Sequence, residues 1–176
     1  MTALNYHKID EVSISNGIGI RTVLWVSGCS HKCYNCQNPQ THDYKSGLPF
    51  DDYAMDKLFS CLSKSYVNGI TFSGGDPLSI WNFDTIQEVS RIIKTYLPTK
   101  TQWLYTGYTW EEIMSQKHLF ETIAYIDVIV EGRYIDELRD TTLPFRGSSN
   151  QRIIDVQKSI VNNKVVLWGD TDEKGG

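Results

Sequence analysis

Short β-branched, apolar runs alternate along this chain with stretches whose apolar residues recur every three or four positions. Val23, Leu24 and Val26 belong to the first run, residues 21–26, which has the pattern of a strand buried on both faces and stops at Ser27 and Gly28. A helix is predicted from Asp51 or Asp52, either of which can cap a first turn. Met55, Leu58, Phe59 and Leu62 then share one apolar face. The unit repeats. Residues 69–72 read as a strand, Ile86, Val89, Ile93 and Tyr96 mark a helix with Pro98 beyond its end, and residues 102–105 read as a third strand. Thr109 and Glu112 form a capping-box pair for another helix, and residues 126–130 are a fourth strand. Residues 152–156 and 164–168 read as two further strands. The expected organisation is one domain over residues 1–168, followed by a polar, frayed tail at 169–176.

Strand–helix alternation of this kind predicts an α/β fold with a parallel sheet and right-handed crossovers. Ligands of such sheets bind at the carboxyl ends of the strands. Four distinctive segments each follow a predicted strand: the cysteines at 29–36, Gly74-Gly75-Asp76-Pro77, Thr106-Gly107 and Glu131-Gly132-Arg133. They are expected to converge on one mouth.

Composition narrows the function classes. A chain of 176 residues suits one core, and 40% hydrophobic with 22% charged residues excludes wholesale disorder. The net charge is -4 and the basic residues are scattered among acids, so no nucleic-acid partner is expected. No apolar run approaches the ~20 residues that span a bilayer, so no membrane partner is expected either. Residues 1–8 lack the apolar stretch of a secretory signal, and the expected location is cytoplasmic. In that reducing compartment, closely spaced cysteines point to metal binding or catalysis.

Cys29, Cys33 and Cys36 form a CxxxCxxC cluster on one short loop, and three thiolates this close suit zinc or an iron–sulfur cluster. Cys61 sits beside Leu62 inside the first helix and reads as a small buried hydrophobe. With three ligands, one iron of a cubane is left open to an external ligand. The alternative is a Cys₃His zinc site completed by His31 or His42, which would make the chain an interaction module. Gly17-Ile18-Gly19 precedes a strand, so it is no dinucleotide fingerprint. The glycines at 74 and 75 allow close backbone approach to a ligand, although alone the segment is a respectable tight turn. Thr106 reads equally as a strand end or as a cofactor contact. Trp25, Trp103 and Trp110 read as core. Arg146, Asn150, Gln151 and Arg152 read as a solvated polar loop.

The cysteine loop resembles the signature of radical S-adenosylmethionine enzymes, and Gly74-Gly75-Asp76-Pro77 is similar to their Gly-Gly-Glu-Pro segment, with Asp76 in place of Glu. The resemblance implies an incomplete parallel (β/α) barrel and a [4Fe-4S] cluster on Cys29, Cys33 and Cys36. It also implies that S-adenosylmethionine chelates the open iron and is cleaved reductively to methionine and a 5′-deoxyadenosyl radical. Gly74, Gly75 and Asp76 would receive the methionine amino group, with Thr106 a further candidate. Asn35 stands where many members carry an aromatic residue, which leaves the adenine contact to backbone atoms of Asn35 and Gln37.

A narrower resemblance covers residues 16–21, 29–33, 103–108, 127–133 and 145–152. These segments look like those of the activating proteins of anaerobic ribonucleoside-triphosphate reductase. That family implies installation of a glycyl radical on the large reductase subunit, with electrons from a one-electron donor such as flavodoxin. It also raises Arg146, Asn150, Gln151 and Arg152 to candidate partner contacts. A different small radical S-adenosylmethionine enzyme acting on a small molecule is the competing enzymatic reading.

Overall fold

The computed structural model describes residues 4–169, and the expected tail from 170 onward lies outside them. The elements in chain order are β1 (Asn5–Ser13), β2 (Arg21–Val26), β3 (Leu48–Pro49), α1 (Asp52–Leu62), β4 (Gly69–Gly74), α2 (Phe83–Tyr96) and β5 (Thr101–Thr106). They continue with α3 (Trp110–Met114), α4 (Lys117–Ile123), β6 (Val128–Glu131), β7 (Arg152–Asp155) and α5 (Val156–Asn162). The strands form a seven-stranded sheet in the order β3-β1-β2-β4-β5-β6-β7.

The sheet is parallel only in its middle. β2, β4, β5 and β6 pair in parallel, with Val26 opposite Gly74 and Thr106 opposite Glu131, so their carboxyl ends share one edge. β1 is antiparallel to β2, β3 to β1, and β7 to β6. β1 escapes sequence reading because only Tyr6 and Ile9 of its residues point inward, and Lys8, Asp10 and Glu11 break the apolar pattern. Residues 164–168 form a single antiparallel bridge in place of the expected strand: Leu167 lies opposite Ile154, Val166 accepts from the Asp155 N–H and the Trp168 N–H donates to the Ile153 carbonyl, both at 2.9 Å. Asp155 accepts a hydrogen bond from the Lys158 backbone N–H at 3.0 Å, capping α5 and ending β7 one residue earlier than its apolar run suggested.

Strand alternation divides the core. Leu24, Val26, Ile70, Phe72, Leu104 and Ile129 face the helices and pack with Leu58 and Leu62 of α1 and Ile86, Val89 and Ile93 of α2. Each such side chain, fully buried, contributes about 1.5–3 kcal/mol of transfer free energy. Tyr96, at the last turn of α2, runs past this core and is 73% exposed. The opposite face carries Trp103, Val128 and Val130, covered by Tyr105, Phe145 and Ile153. Asp51 caps α1 through the Ala54 N–H, and Thr109 and Glu112 form the full capping box of α3.

Arg21 closes the amino-terminal edge of the sheet. Its side chain is wholly buried and donates to Thr71 Oγ1 at 2.8 Å, Thr101 Oγ1 at 2.9 Å and the carbonyls of Ile18, Ile70 and Thr101, with Trp103 beneath the guanidinium. Burial lowers its pKa to about 10, which still leaves it charged at neutral pH. Among the described residues no helix is long and apolar enough to cross a membrane.

Candidate metal centre and cofactor cavity

The chain leaves β2 at Gly28 (φ 99°) and enters the cysteine loop. The Gly28 N–H donates to the Thr41 carbonyl at 2.7 Å and the Cys29 N–H to the His42 carbonyl at 3.1 Å, so the loop's two ends are tied together. Lys32 (φ 49°) and Asn35 (φ 53°) adopt left-handed conformations, which for side-chain-bearing residues store of order 1–3 kcal/mol each and persist only where the surroundings enforce them.

Backbone amides border the cysteines. Cys36 accepts from the Asn38 N–H at 3.4 Å, and the backbone of His31 and Lys32 beside Cys29 and of Tyr134 beside Cys33 favours the thiolate forms. Such donors stabilise anionic sulfur and belong to the surroundings that tune iron–sulfur centres. Without a metal the thiolate form is disfavoured: burial, assisted by the charge of Asp76, pushes the Cys29 thiol up to about 11, and burial raises Cys33 as well. A bound cation reverses that preference. Among the described residues no three His, Cys, Asp or Glu groups converge as a single-ion site. A cubane spreads three cysteine ligands over three irons, whereas zinc gathers its ligands within about 2.3 Å of one ion. His31 is not free to complete a zinc site, because Asp76 engages its Nε2. His42 Nε2 is buried without a hydrogen-bond partner among the described residues, and His42 lines with Cys29 a groove that Cys33 and Cys36 do not line. The donor set therefore fits a cluster better than a zinc ion.

The turn after β4 packs directly on this loop. Asp76 is 1% exposed, its backbone N–H donates to the Gly28 carbonyl at 2.8 Å, and its carboxylate is ringed by donors. Oδ1 accepts from the Leu78 N–H at 2.8 Å and Thr106 Oγ1 at 2.9 Å; Oδ2 accepts from the Gly107 N–H at 2.9 Å and His31 Nε2 at 2.7 Å. Four donors match the lone pairs of an ionised carboxylate. The Asp76 side chain is thus turned into the protein, and Thr106 is committed to it. Cys61, as expected, is buried in α1.

Beside the loop lies a cavity of about 310 Å³, at the lower end of the range for small-molecule sites. Trp25, Ser73 and Tyr105, from one row across β2, β4 and β5, line its floor; Cys36, Gln37 and Arg146 line its walls. A smaller space of about 100 Å³ holds Cys29, Cys33, Gly75, Asp76, Thr106 and Gly107, and Tyr105, Tyr134 and Gln151 border both. Of the sequence candidates, Gln37 lines the larger space with Cys36, and Gly75, Asp76 and Thr106 line the adjoining smaller one with Cys29 and Cys33. Asn35 and Gly74 line neither. The Asn35 amide donates instead to Asp136 Oδ2 at 3.0 Å.

Sequence reasoning missed Ser73, Tyr105 and Tyr134. For Ser73 and Tyr105 the signal available was the polar or aromatic residue at alternate strand positions, which marks the face away from the helices; Tyr134 lies in the loop after β6, where no periodicity marks it. Trp103 and Trp110 are core, but Trp25 is half-buried, donates to Asp10 Oδ2 at 2.7 Å and floors the cavity. The segment 146–152 is partly exposed, with Asn150 at the surface, but its side chains are tied to the fold. Gln151 accepts from the N–H of Gly147 and donates to the Gly132 carbonyl, both at 2.9 Å, Asn150 donates to the Arg133 carbonyl at 2.8 Å, and Arg152 pairs with Glu131 at 2.7 Å.

Residues 15–154 match the family model of the 4Fe-4S single cluster domain. The anaerobic ribonucleoside-triphosphate reductase-activating protein of Enterobacteria phage T4 is 41% identical over 169 residues, 96% of each chain. Proteins of the same name from Vibrio cholerae and Escherichia coli K12 are each 37% identical, over 85% and 84% of this chain and 97% and 96% of their own. With a cysteine loop, turn and cavity built as described, the chain belongs to the family of anaerobic ribonucleoside-triphosphate reductase-activating proteins.

Proposed function

We propose that this protein installs a glycyl radical on an anaerobic ribonucleoside-triphosphate reductase, holding a [4Fe-4S] cluster on Cys29, Cys33 and Cys36 and S-adenosylmethionine in the adjoining cavity. The observation that carries this reading is the conjunction of three cysteines on one loop with two adjoining cavities that they line, in a chain of this family. Bound there, the cluster and cofactor would supply a one-electron cleavage that yields methionine and a 5′-deoxyadenosyl radical able to take hydrogen from a glycine.

The chain's own residues bind and orient. Gly75 presents backbone to the methionine end of the cofactor and Gln37 serves the adenine end, whereas Gly74 and Asn35 lie off these spaces. Asp76 and Thr106 fix the turn that faces the cysteines. Arg146, beside Phe145 in the cavity wall, borders the side from which a peptide loop would enter. Because positioning of the reacting atoms supplies much of the rate, a rigid floor of Trp25, Ser73 and Tyr105 is what the reaction requires.

We read the sheet as an incomplete barrel, since its four parallel strands follow in chain order and carry the helical core on one face and the cavity on the other. Residues 1–168 form one catalytic domain on this reading. The partners are the large reductase subunit and a one-electron donor such as flavodoxin, in the cytoplasm.

The test is a paramagnetic-resonance measurement on the reduced, iron-loaded protein with S-adenosylmethionine and its cognate reductase, using a Gly→Ala reductase as control. A glycyl radical on the wild-type reductase alone is expected. Cofactor cleavage with no radical on the reductase would sink the assignment and favour a small-molecule substrate.

A further inference from the structure

The two chemically distinctive segments of the site, 45 residues apart in sequence, are joined by a single side-chain bond: His31, inside the cysteine loop, meets Asp76, in the turn after β4, at 2.7 Å. Both side chains are nearly inaccessible, 6% and 2% exposed. An ionised carboxylate only accepts, so Nε2 of His31 carries the proton. The imidazole is further held edge-on against Tyr108, with ring centroids 4.7 Å apart. It also lies so close to Gly107 that a Cβ there would overlap the ring.

We infer that His31 and Asp76 form a buried latch that holds the Cys29–Cys33 arm of the loop against the ends of β4 and β5. Both are positioning residues, and the Asp76 side chain is not a receptor for a ligand ammonium. Three observations carry this. The Asp76 carboxylate has its lone pairs engaged by Leu78, Thr106, Gly107 and His31. The same carboxylate ties the turn to β5, so pulling on His31 pulls on two strand ends at once. The loop between Cys29 and Cys33 contains the left-handed Lys32, an unfavourable conformation that needs an external anchor, and His31 is the adjacent residue. A buried hydrogen bond to a charged group is strong enough to supply that anchor.

The inference rests on the cluster reading for its readout. The experiment uses the full-length, iron-loaded protein and measures the rate at which a chelator strips its iron, together with S-adenosylmethionine affinity, in His31→Leu, Asp76→Asn and the double variant. His31→Leu keeps apolar bulk against Tyr108 and removes the donor. Asp76→Asn keeps the shape and spoils the contacts of Oδ2.

Each single change is expected to speed iron loss about tenfold or more, and the double variant to be no faster than the worse single one, because both remove the same bond. Asp76→Asn weakening cofactor binding while His31→Leu changes neither quantity would overturn the latch and make Asp76 a receptor. Additive effects, or iron retention unchanged in His31→Leu, would also overturn it. If Asp76→Asn does not fold, the His31→Leu arm decides alone. Wild-type protein that holds no iron would sink the cluster reading instead, so the two failures are distinguishable.

Discussion

Gly75 faces the backbone of Gly28 across a gap that admits no side chain: a Cβ at 75 would stand 2.5 Å from the Gly28 carbonyl oxygen and 2.9 Å from its carbon. Gly28 immediately precedes the first cysteine of the loop. The glycine in the turn is therefore required first by the protein's own backbone, and the cofactor's need for close approach comes second.

Gly75→Ala is accordingly expected to disturb the cluster and the cofactor together. Backbone must shift to accept the methyl group, at about 1–3 kcal/mol, and the shift falls on the residue before Cys29. Iron per chain and cofactor affinity, measured side by side, check this. Full iron content with only the affinity lost would mean that Gly75 answers to the ligand and not to Gly28.

Replacing Cys29, Cys33 or Cys36 by Ala should abolish cluster binding, and Cys61→Ala should leave it intact. Cys61 is 3% exposed among the helix-packing residues of α1, where losing its sulfur costs about 1 kcal/mol of stability and nothing in iron. Iron and acid-labile sulfide analysis of the four variants is sufficient, and iron loss in Cys61→Ala would refute the ligand set.

Arg21→Met should be among the most destabilising single changes in the protein. The guanidinium satisfies acceptors on β4 and β5, and its removal takes the donor from the buried Ile70 carbonyl and unties β4 from Thr101 of β5. The expected cost is about 3–5 kcal/mol, read as a lowered denaturant midpoint. Arg21→Lys should recover little, since an ammonium lacks the planar fork that reaches both strands. A change below about 1 kcal/mol in Arg21→Met would contradict this account.

The Glu131 and Glu111 carboxylates both pair with Arg152, yet they should behave differently. The Glu131 side chain is 2% exposed and also accepts from the Trp110 N–H at 2.6 Å, whereas that of Glu111 is 65% exposed. The hydrogen bond to Glu131 is the main cause of the raised pKa of Arg152. Glu131→Gln is expected to cost about 1–3 kcal/mol and Glu111→Gln under about 1 kcal/mol. Thermal denaturation of the two variants decides it, and equal shifts would show that burial does not set the strength of this network.

Much of the molecule is determined by local sequence. The parallel strands, α1 with its Asp51 cap, α2, the Thr109–Glu112 capping box and the three-cysteine loop all rest on spacings within about a dozen residues, where side-chain periodicity and capping act. Tertiary structure decided the remainder. β1 and β7 join the sheet antiparallel because partners far along the chain supply their hydrogen bonds; the apolar run of β7 marks a strand but not its direction, and β1 is too polar to announce itself. The stretch 164–168 has strand composition, but after α5 its pairing with β7 is limited to the bridge of Leu167 with Ile154 and the two backbone bonds beside it. The chemistry divides in the same way. CxxxCxxC and Gly-Gly-Asp-Pro are visible as strings of residues. That Asp76 turns inward to His31 and not outward to a ligand depends on β2, β4 and β5 lying side by side, since only that order brings residues 31, 76 and 106 within hydrogen-bonding reach.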